Sequence, residues 1–251
     1  MKCGRKAIMW IALVLCLVCA VLLALALHSR AEHAKPASKD PEGAIAAQED
    51  EDRTVDVPVD FAAWQERNPD VYAWIEYPGT NVDYPIVQSA EDDAYYLRRD
   101  IDGKEAVAGS LYTEHTYNSK TFDDPVTVIY GHNMANRTMF GGLQSHIEAA
   151  DLASTEEYFY VYLPGRILTY RVVGGAPGDD AHILYYNDFS DPTGFSNYFG
   201  NLYAQSGGHV NLPGLLRPSP NDRVVILATC MNGEKYLRYL IIGVLTDDTG
   251  N

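Results

Sequence analysis

The sequence contains few cysteines, four in 251 residues. Cys3, Cys16 and Cys19 lie in or just before a hydrophobic N-terminal segment, so Cys230 stands alone in the rest of the chain. No disulfide bond can therefore form within the region after that segment. A single thiol in an oxidising compartment indicates either complete burial or a nucleophile, and the count alone favours neither.

Basic residues are also scarce, with 19 Lys and Arg against 34 Asp and Glu and a formal net charge of −15. Four of the basic residues and no acidic ones lie within residues 1–30, so the remaining chain is more acidic still. Nucleic-acid phosphates would repel such a surface, which argues against a nucleic-acid-binding protein.

Known cofactor signatures are missing too. The sequence has no Cys/His cluster with metal-ligand spacing, no phosphate-binding glycine loop and no dinucleotide fingerprint. The acidic pairs Asp123-Asp124 and Asp179-Asp180 could attract calcium, although solvated loops are the favoured interpretation. We therefore predict that the protein requires no cofactor, and we assign no metal-ligating residues.

One long hydrophobic run is present, at residues 7–27, and it contains no charge. A helix that crosses the hydrocarbon core needs about 20 such residues. Because Lys2, Arg5 and Lys6 precede the run, residues 1–6 are expected in the cytoplasm and the remainder outside. A cleaved signal peptide is the alternative, but its apolar core would be shorter and a small-residue cleavage site would follow. We favour an uncleaved signal anchor, which makes this a single-pass cell-membrane protein.

The rest of the chain divides into two parts. Residues 28–57 are predicted to be a flexible spacer, since residues 31–57 lack aromatic residues and are rich in Ala, Pro, Glu and Asp. Residues 58–251 are predicted to be one extracytoplasmic domain without internal repeats. Its short apolar runs, bounded by turn residues, indicate a β-barrel or β-sandwich. The predicted strands are 73–77, 82–87, 109–112, 126–130, 158–163, 167–173, 223–229 and 237–245.

Helical periodicity occurs at residues 61–67, 139–149 and 193–206. The third segment is the clearest, because an aromatic stripe recurs at helical spacing behind the start signal Asp191-Pro192. We expect this stripe to pack in the core rather than bind a ligand. Its members are Phe195, Tyr198, Phe199, Leu202 and Tyr203.

Cys230 ends the apolar run VVILATC, where an emerging strand would carry its thiol to the surface. Arg238 follows eight residues later at the start of the next apolar run, and the Asn-Gly pair between them is a strong turn signal. The two strands are therefore expected to pair as neighbours, with Cys230 and Arg238 at the same end.

A thiol nucleophile needs a base or cation, because free cysteine is mostly protonated at neutral pH. Among seven histidines, His132 differs in following the buried-looking run VTVIY and a glycine that would let the chain turn sharply. Local context alone leaves it an open candidate. The others lie near the membrane, in the spacer, in a helical pattern or in loop-like settings where an exposed, ordinary histidine is expected: His28, His33, His146, His115, His182 and His209.

The combination of VIYGHNM, LATC and an arginine eight residues on resembles the sortase family of Gram-positive bacteria. The resemblance covers residues 61–245 and is greatest to class B. It is carried by NPDVYAWIEYPGTNVDYPIVQ (68–88), DDAYYLRRDIDGKEAVAGSLY (92–112) and YGHNMANRTMFGGL (130–143).

This resemblance implies a mainly β fold, a closed eight-stranded barrel with peripheral helices, and catalytic roles for His132, Cys230 and Arg238. It also implies a cysteine transpeptidase that cleaves a C-terminal sorting signal of secreted proteins, of the Asn-Pro-x-Thr type, after Thr. The product would be joined to an amine of a cell-wall precursor or of a pilin subunit. A cysteine hydrolase, an L,D-type wall transpeptidase and a surface adhesin with a merely buried Cys230 are the alternatives.

Overall fold

Eight strands form at the eight apolar runs and close into a barrel in the order β1-β2-β3-β4-β7-β8-β6-β5. The neighbours are antiparallel except β2/β3 and β4/β7, which are parallel. The barrel confirms the expected fold class and excludes a sandwich. The strands are β1 Val71–Tyr77, β2 Val82–Val87, β3 Leu111–Tyr112, β4 Val126–Tyr130, β5 Tyr158–Leu163, β6 Arg166–Asp179, β7 Val224–Cys230 and β8 Leu237–Asp248.

The computed structural model describes residues 55–234 and 236–250. The predicted cytoplasmic N-terminus (1–6), the signal anchor (7–27) and nearly all of the spacer (28–57) lie outside these residues. Within the described part of the chain, no helix has the length and apolar character needed to cross a membrane.

Among the described residues, four α-helices and two short 3-10 helices surround the barrel. The α-helices are α1 Phe61–Arg67, α2 Leu143–Ala149, α3 Ile183–Tyr186 and α4 Pro192–Tyr203, and the 3-10 helices are Tyr95–Arg98 and Gly214–Leu216. The predicted start of α2 at residue 139 is wrong, because Met139 and Gly142 both have positive φ and interrupt helical backbone. Neither α3 nor the two 3-10 helices shows enough periodicity to be predicted.

Helix α4 covers the outside of the barrel, so β4, β7 and β8 are buried on both faces. Val225 and Leu227 face the barrel interior, whereas Val224, Ile226 and Ala228 pack under the aromatic stripe of α4. This double burial explains why VVILA is a continuous apolar run rather than an alternating one. The stripe residues all belong to, or pack against, this outer core, as predicted.

Strand β6 continues six residues beyond its predicted end at residue 173 and pairs with β8 as far as Asp179. The Gly and Pro residues of GGAPG suggested a break, but the glycines serve close packing instead. A Cβ at Gly175 would lie 2.5 Å from Ile147 Cγ2, and one at Gly174 would lie 2.5 Å from Leu212 Cδ2. The extension brings the end of β6 alongside the start of β8.

An ion-pair network links β6, β7 and β8 at the end of the barrel where β6 and β7 begin and β8 ends. Asp248 bonds Arg166 at 2.7 Å and Arg223 at 2.6 Å, and Asp123 bonds the same two arginines at 2.9 and 2.8 Å. The hydrogen bond from Arg166 holds the pKa of Asp248 well below its usual range, despite opposition from burial. The Asp123-Asp124 pair, considered above for calcium, therefore contributes Asp123 to a structural network.

We expect Asp248→Asn to destabilise the fold by about 3 kcal/mol, since it leaves two half-buried guanidinium groups without their inner carboxylate. The side chain of Asp248 is 7% exposed, whereas that of Asp123 is 55% exposed, so Asp123→Asn is the matched control and should cost about 1 kcal/mol or less. Chemical denaturation of both variants at pH 7 measures the difference, and equal losses would contradict this account.

The same substitution should alter the acid dependence of stability. A carboxyl whose pKa is lower in the folded state contributes stability above its unfolded pKa of about 3.9, and this contribution disappears as the pH falls below that value. The wild type should therefore lose more stability than Asp248→Asn between pH 5 and pH 3. Parallel slopes over that interval would rule out this role of Asp248.

Candidate active site

Cys230 is the last residue of β7, and its side chain is exposed. Residues alternate between faces along a strand, so Cys230 shares the outer face with Ala228 and Ile226. The end of β7 thus displays the thiol just beyond the buried outer core. This exposure rules out the interpretation in which Cys230 is merely buried.

Arg238 lies directly opposite Cys230 on β8, as the Asn-Gly turn predicts. Gly233 of that turn has φ of +79°, a conformation that glycine adopts without strain. The backbone N–H of Met231 donates to Leu237 O at 3.1 Å. Because bonded and non-bonded positions alternate in antiparallel pairs, Cys230 and Arg238 occupy a non-hydrogen-bonded position, where facing side chains are closest.

His132 follows the end of β4 by two residues. The intervening Gly131 is required by close packing rather than by a sharp turn. Its φ is not positive, and a Cβ there would lie 2.4 Å from Leu111 Cδ2 and 2.6 Å from Phe140 Cδ2. The backbone N–H of Gly131 donates to Ala228 O at 3.1 Å, which keeps this segment beside β7.

The imidazole of His132 forms a 2.7 Å hydrogen bond between Nε2 and the carbonyl oxygen of Leu97. Because a carbonyl oxygen only accepts hydrogen bonds, Nε2 carries a proton and donates it. In the neutral ring, Nδ1 is then the nitrogen with the lone pair. Leu97 lies in the first 3-10 helix, which has no periodicity from which this contact could be predicted.

The remaining described histidines pair with carboxylates, whereas no ion pair involves His132 within residues 55–234 and 236–250. This contrast distinguishes His132 from histidines whose ring is already used by an acidic partner. The pairs are His115 with Asp93 at 2.6 Å, His146 with Glu157 at 2.9 Å, His182 with Glu114 at 3.1 Å and His209 with Glu148 at 2.8 Å.

A cleft of about 250 Å³ brings Cys230, His132 and Arg238 together. It opens where β4 and β7 end and β8 begins, and it is bounded by the end of β6 and the start of α3. The other lining residues are Leu97, Tyr112, Glu114, Tyr130, Gly131, Asp179, Asp180, Ala181, His182, Ile183, Ala228 and Thr229. All three residues selected from the sequence therefore line one cleft.

The guanidinium of Arg238 has a different environment from those of the structural arginines. Its Nη1 donates to Leu237 O at 3.3 Å, and no ion pair involves it among the described residues. Arg166, in contrast, is held by two carboxylates. Arg238 therefore retains donors for a negatively charged group in the cleft.

Glu114 and His182 form a polar wall of the cleft that sequence reasoning did not identify. Glu114 follows the two-residue strand β3, and His182 caps α3, where Nδ1 accepts from the Tyr185 N–H at 3.1 Å. His182 Nε2 contacts both oxygens of Glu114 at 3.1 Å. His182 is thus half-buried in a cleft wall rather than an ordinary exposed histidine.

Burial changes the pKa values of the ionisable side chains in this wall. It raises the pKa of Glu114, and the contacts of this carboxyl with His182 and Tyr130 oppose that rise. Burial also raises the pKa of Tyr130, and the nearby Glu114 raises it further. Both tyrosines of the wall, Tyr112 and Tyr130, stack at a ring-centroid distance of 5.3 Å and remain neutral phenols.

Within the described part of the chain, no group of three or more His, Cys, Asp or Glu side chains could hold a metal ion. The chemistry of the cleft is that of a surface thiol, a histidine whose Nε2 proton is fixed, and an arginine. Such a set fits covalent catalysis at a carbonyl carbon by a cysteine enzyme.

No protein-family model matches the sequence. The chain is 30% identical over 174 residues to sortase B of Listeria monocytogenes, a match that spans 68% of this chain and 67% of that protein. It is 27% identical over 88 residues to sortase B of Staphylococcus aureus, which covers 35% of each chain. Its fold matches the crystal structure of a mutant form of sortase B from Clostridium perfringens with a TM-score of 0.63 and 24% identity, over 74% of this chain and 86% of that one.

The closed barrel therefore has the sortase fold. Since the match to the Listeria protein reaches 30% identity over two thirds of its length, the chain belongs to the class B sortase family.

Proposed function

We propose that this protein is a cysteine transpeptidase that cleaves a C-terminal sorting signal of the Asn-Pro-x-Thr type after Thr. It would join the released acyl group to an amine of a cell-wall precursor or of a pilin subunit. The main support is the pairing of Cys230 with Arg238 at a non-hydrogen-bonded position, in the cleft that His132 also lines.

Cys230 is the proposed nucleophile. Its thiolate attacks the carbonyl carbon of the threonine, and a carbon–sulfur bond forms as the carbonyl oxygen becomes an oxyanion. Collapse of this tetrahedral species breaks the C–N bond and leaves a thioacyl enzyme. The new amine then attacks the thioester carbon, and the thiolate of Cys230 leaves again.

Arg238 is the proposed stabiliser of the oxyanion. Its guanidinium stays protonated and offers several donors in a fixed planar arrangement. Support comes from the cross-strand pairing of Arg238 with Cys230 and from the lack of an ion pair at Arg238 among the described residues, which leaves its charge available to the substrate. A preorganised donor of this kind stabilises the transition state more than the ground state.

His132 is the proposed acid and base. As the imidazolium it protonates the departing amide nitrogen, and as the imidazole it takes a proton from the incoming amine. While Nε2 donates to Leu97 O, this exchange has to take place at Nδ1. The Leu97 carbonyl thus fixes the tautomer and the orientation of the ring.

Ligation of a sorting-motif peptide to an amine acceptor tests these roles. We expect Cys230→Ala to abolish ligation, His132→Ala to lower its rate by about 10²–10⁴-fold and Arg238→Ala to lower it by about 10²–10³-fold. His209→Ala is the control, because this histidine is exposed, lies outside the cleft and should leave the rate unchanged. Retained ligation in Cys230→Ala would overturn the mechanism.

The same assay separates the alternative enzyme classes. A transpeptidase forms the amide with the acceptor, whereas a cysteine hydrolase releases the free acid even when the amine is abundant. A peptide library that varies the motif then tests the sequence preference. Preferential cleavage of Leu-Pro-x-Thr over Asn-Pro-x-Thr peptides would contradict the proposed motif.

We also propose that residues 7–27 anchor the protein in the cell membrane with the catalytic domain outside. The support is the length and apolar character of this run and the basic residues before it. Such a location would place the cleft where secreted substrates emerge. Membrane fractionation of cells that express the full chain or a chain lacking residues 1–27 is the test. The full chain is expected in the membrane fraction, and equal release of both would contradict the anchor.

A further inference from the structure

We propose that Asn133 is a positioning residue that fixes His132 relative to Cys230. The proposal rests on the catalytic roles proposed above. Its basis is a pair of hydrogen bonds from one side-chain amide: Asn133 Nδ2 donates to Cys230 O at 2.7 Å and to Asn232 Oδ1 at 2.9 Å. The residue directly after the proposed acid/base is thereby attached to the backbone of the proposed nucleophile.

The first bond replaces a backbone hydrogen bond of the sheet. In the parallel pair β4/β7, Tyr130 is in register with Ala228, and the N–H of Gly131 donates to Ala228 O at 3.1 Å. Donors recur at every second residue of a parallel ladder. If β4 continued, the backbone N–H of residue 133 would therefore be the next donor and Cys230 O its acceptor.

The chain turns away from β7 before this bond can form. His132 O accepts from the N–H of Phe140 at 3.0 Å, and Asn133 forms a β-bridge with Met139. The segment after β4 thus folds back on itself. The side chain of Asn133 supplies the donor that its backbone does not, so the ladder ends in a side-chain bond to Cys230 O.

The second bond holds the segment that follows the nucleophile. Asn232, which accepts from Asn133, donates its own backbone N–H to Gln144 Oε1 at 3.1 Å. Gln144 is buried in α2. The turn after Cys230 is therefore fixed between the segment that carries His132 and a helix packed against the barrel.

His132 consequently lies between two attachments to β7, one at Gly131 and one at Asn133. Loss of the second would let the imidazole move relative to the sulfur while the barrel stayed intact. A displacement of about 1 Å at a reacting group can cost about 10²-fold in rate. The effect should appear in kcat rather than in peptide binding, because Asn133 does not line the cleft.

The test uses the full-length chain with Asn133→Ala, with the nearly isosteric Asn133→Asp, which lacks the donor, and with Asn136→Ala as the control. Asn136 lies in the same segment, but its side chain accepts only from Thr138, at 3.2 and 2.7 Å. We expect kcat for peptide ligation to fall by about 10–100-fold in both Asn133 variants, with KM changed by less than about threefold. Their pH–rate profiles should shift, whereas Asn136→Ala should match the wild type.

A second readout does not depend on the sorting motif. The pH dependence of Cys230 alkylation should shift in the Asn133 variants, while their melting temperatures stay within a few degrees of the wild type. The proposal would be overturned if Asn133→Ala kept the wild-type kcat or lost no more of it than Asn136→Ala does. Unfolding of both Asn133 variants would also overturn it. A wild-type protein that does not ligate would instead overturn the proposed function.

Discussion

The position of β7 in the barrel is the constraint on which the candidate site depends. β7 is hydrogen bonded in parallel to β4 and antiparallel to β8. Its last residue therefore lies beside the end of β4 and the start of β8. The antiparallel side brings Arg238 opposite Cys230, and the parallel side brings the segment of His132 alongside. Close packing on both faces of β7 fixes this register, because a shift by one residue would put side chains of the wrong shape into both cores.

Much of the fold could be predicted because its signals are local. Each strand coincides with an apolar run. In β4 and β7, which are buried on both faces, polar residues do not alternate with the apolar ones. The Asn-Gly turn between β7 and β8 likewise predicts the pairing of Cys230 with Arg238. The end of β6 and the start of α2 could not be predicted, because glycines there serve packing in one case and interrupt a helix in the other.

The rest of the site depends on contacts between segments far apart in the sequence. The Leu97 carbonyl reaches His132 from a 3-10 helix without periodicity, and His182 reaches Glu114 across 68 residues. Asn133 differs, because it lies beside His132 in the sequence, yet only the register of β4 with β7 shows why its amide meets Cys230 O. Sequence patterns thus indicate the reacting groups, whereas the structure shows what orients them.

The central claim is that Cys230 forms a covalent thioacyl intermediate. Intact-mass measurement tests it most directly, after the protein is mixed with an Asn-Pro-x-Thr peptide in the absence of an amine acceptor. The account predicts an added mass equal to the acyl part of the peptide, located on Cys230 and removed when an amine is supplied. Peptide cleavage without any adduct on Cys230, or an adduct that persists in Cys230→Ala, would contradict it.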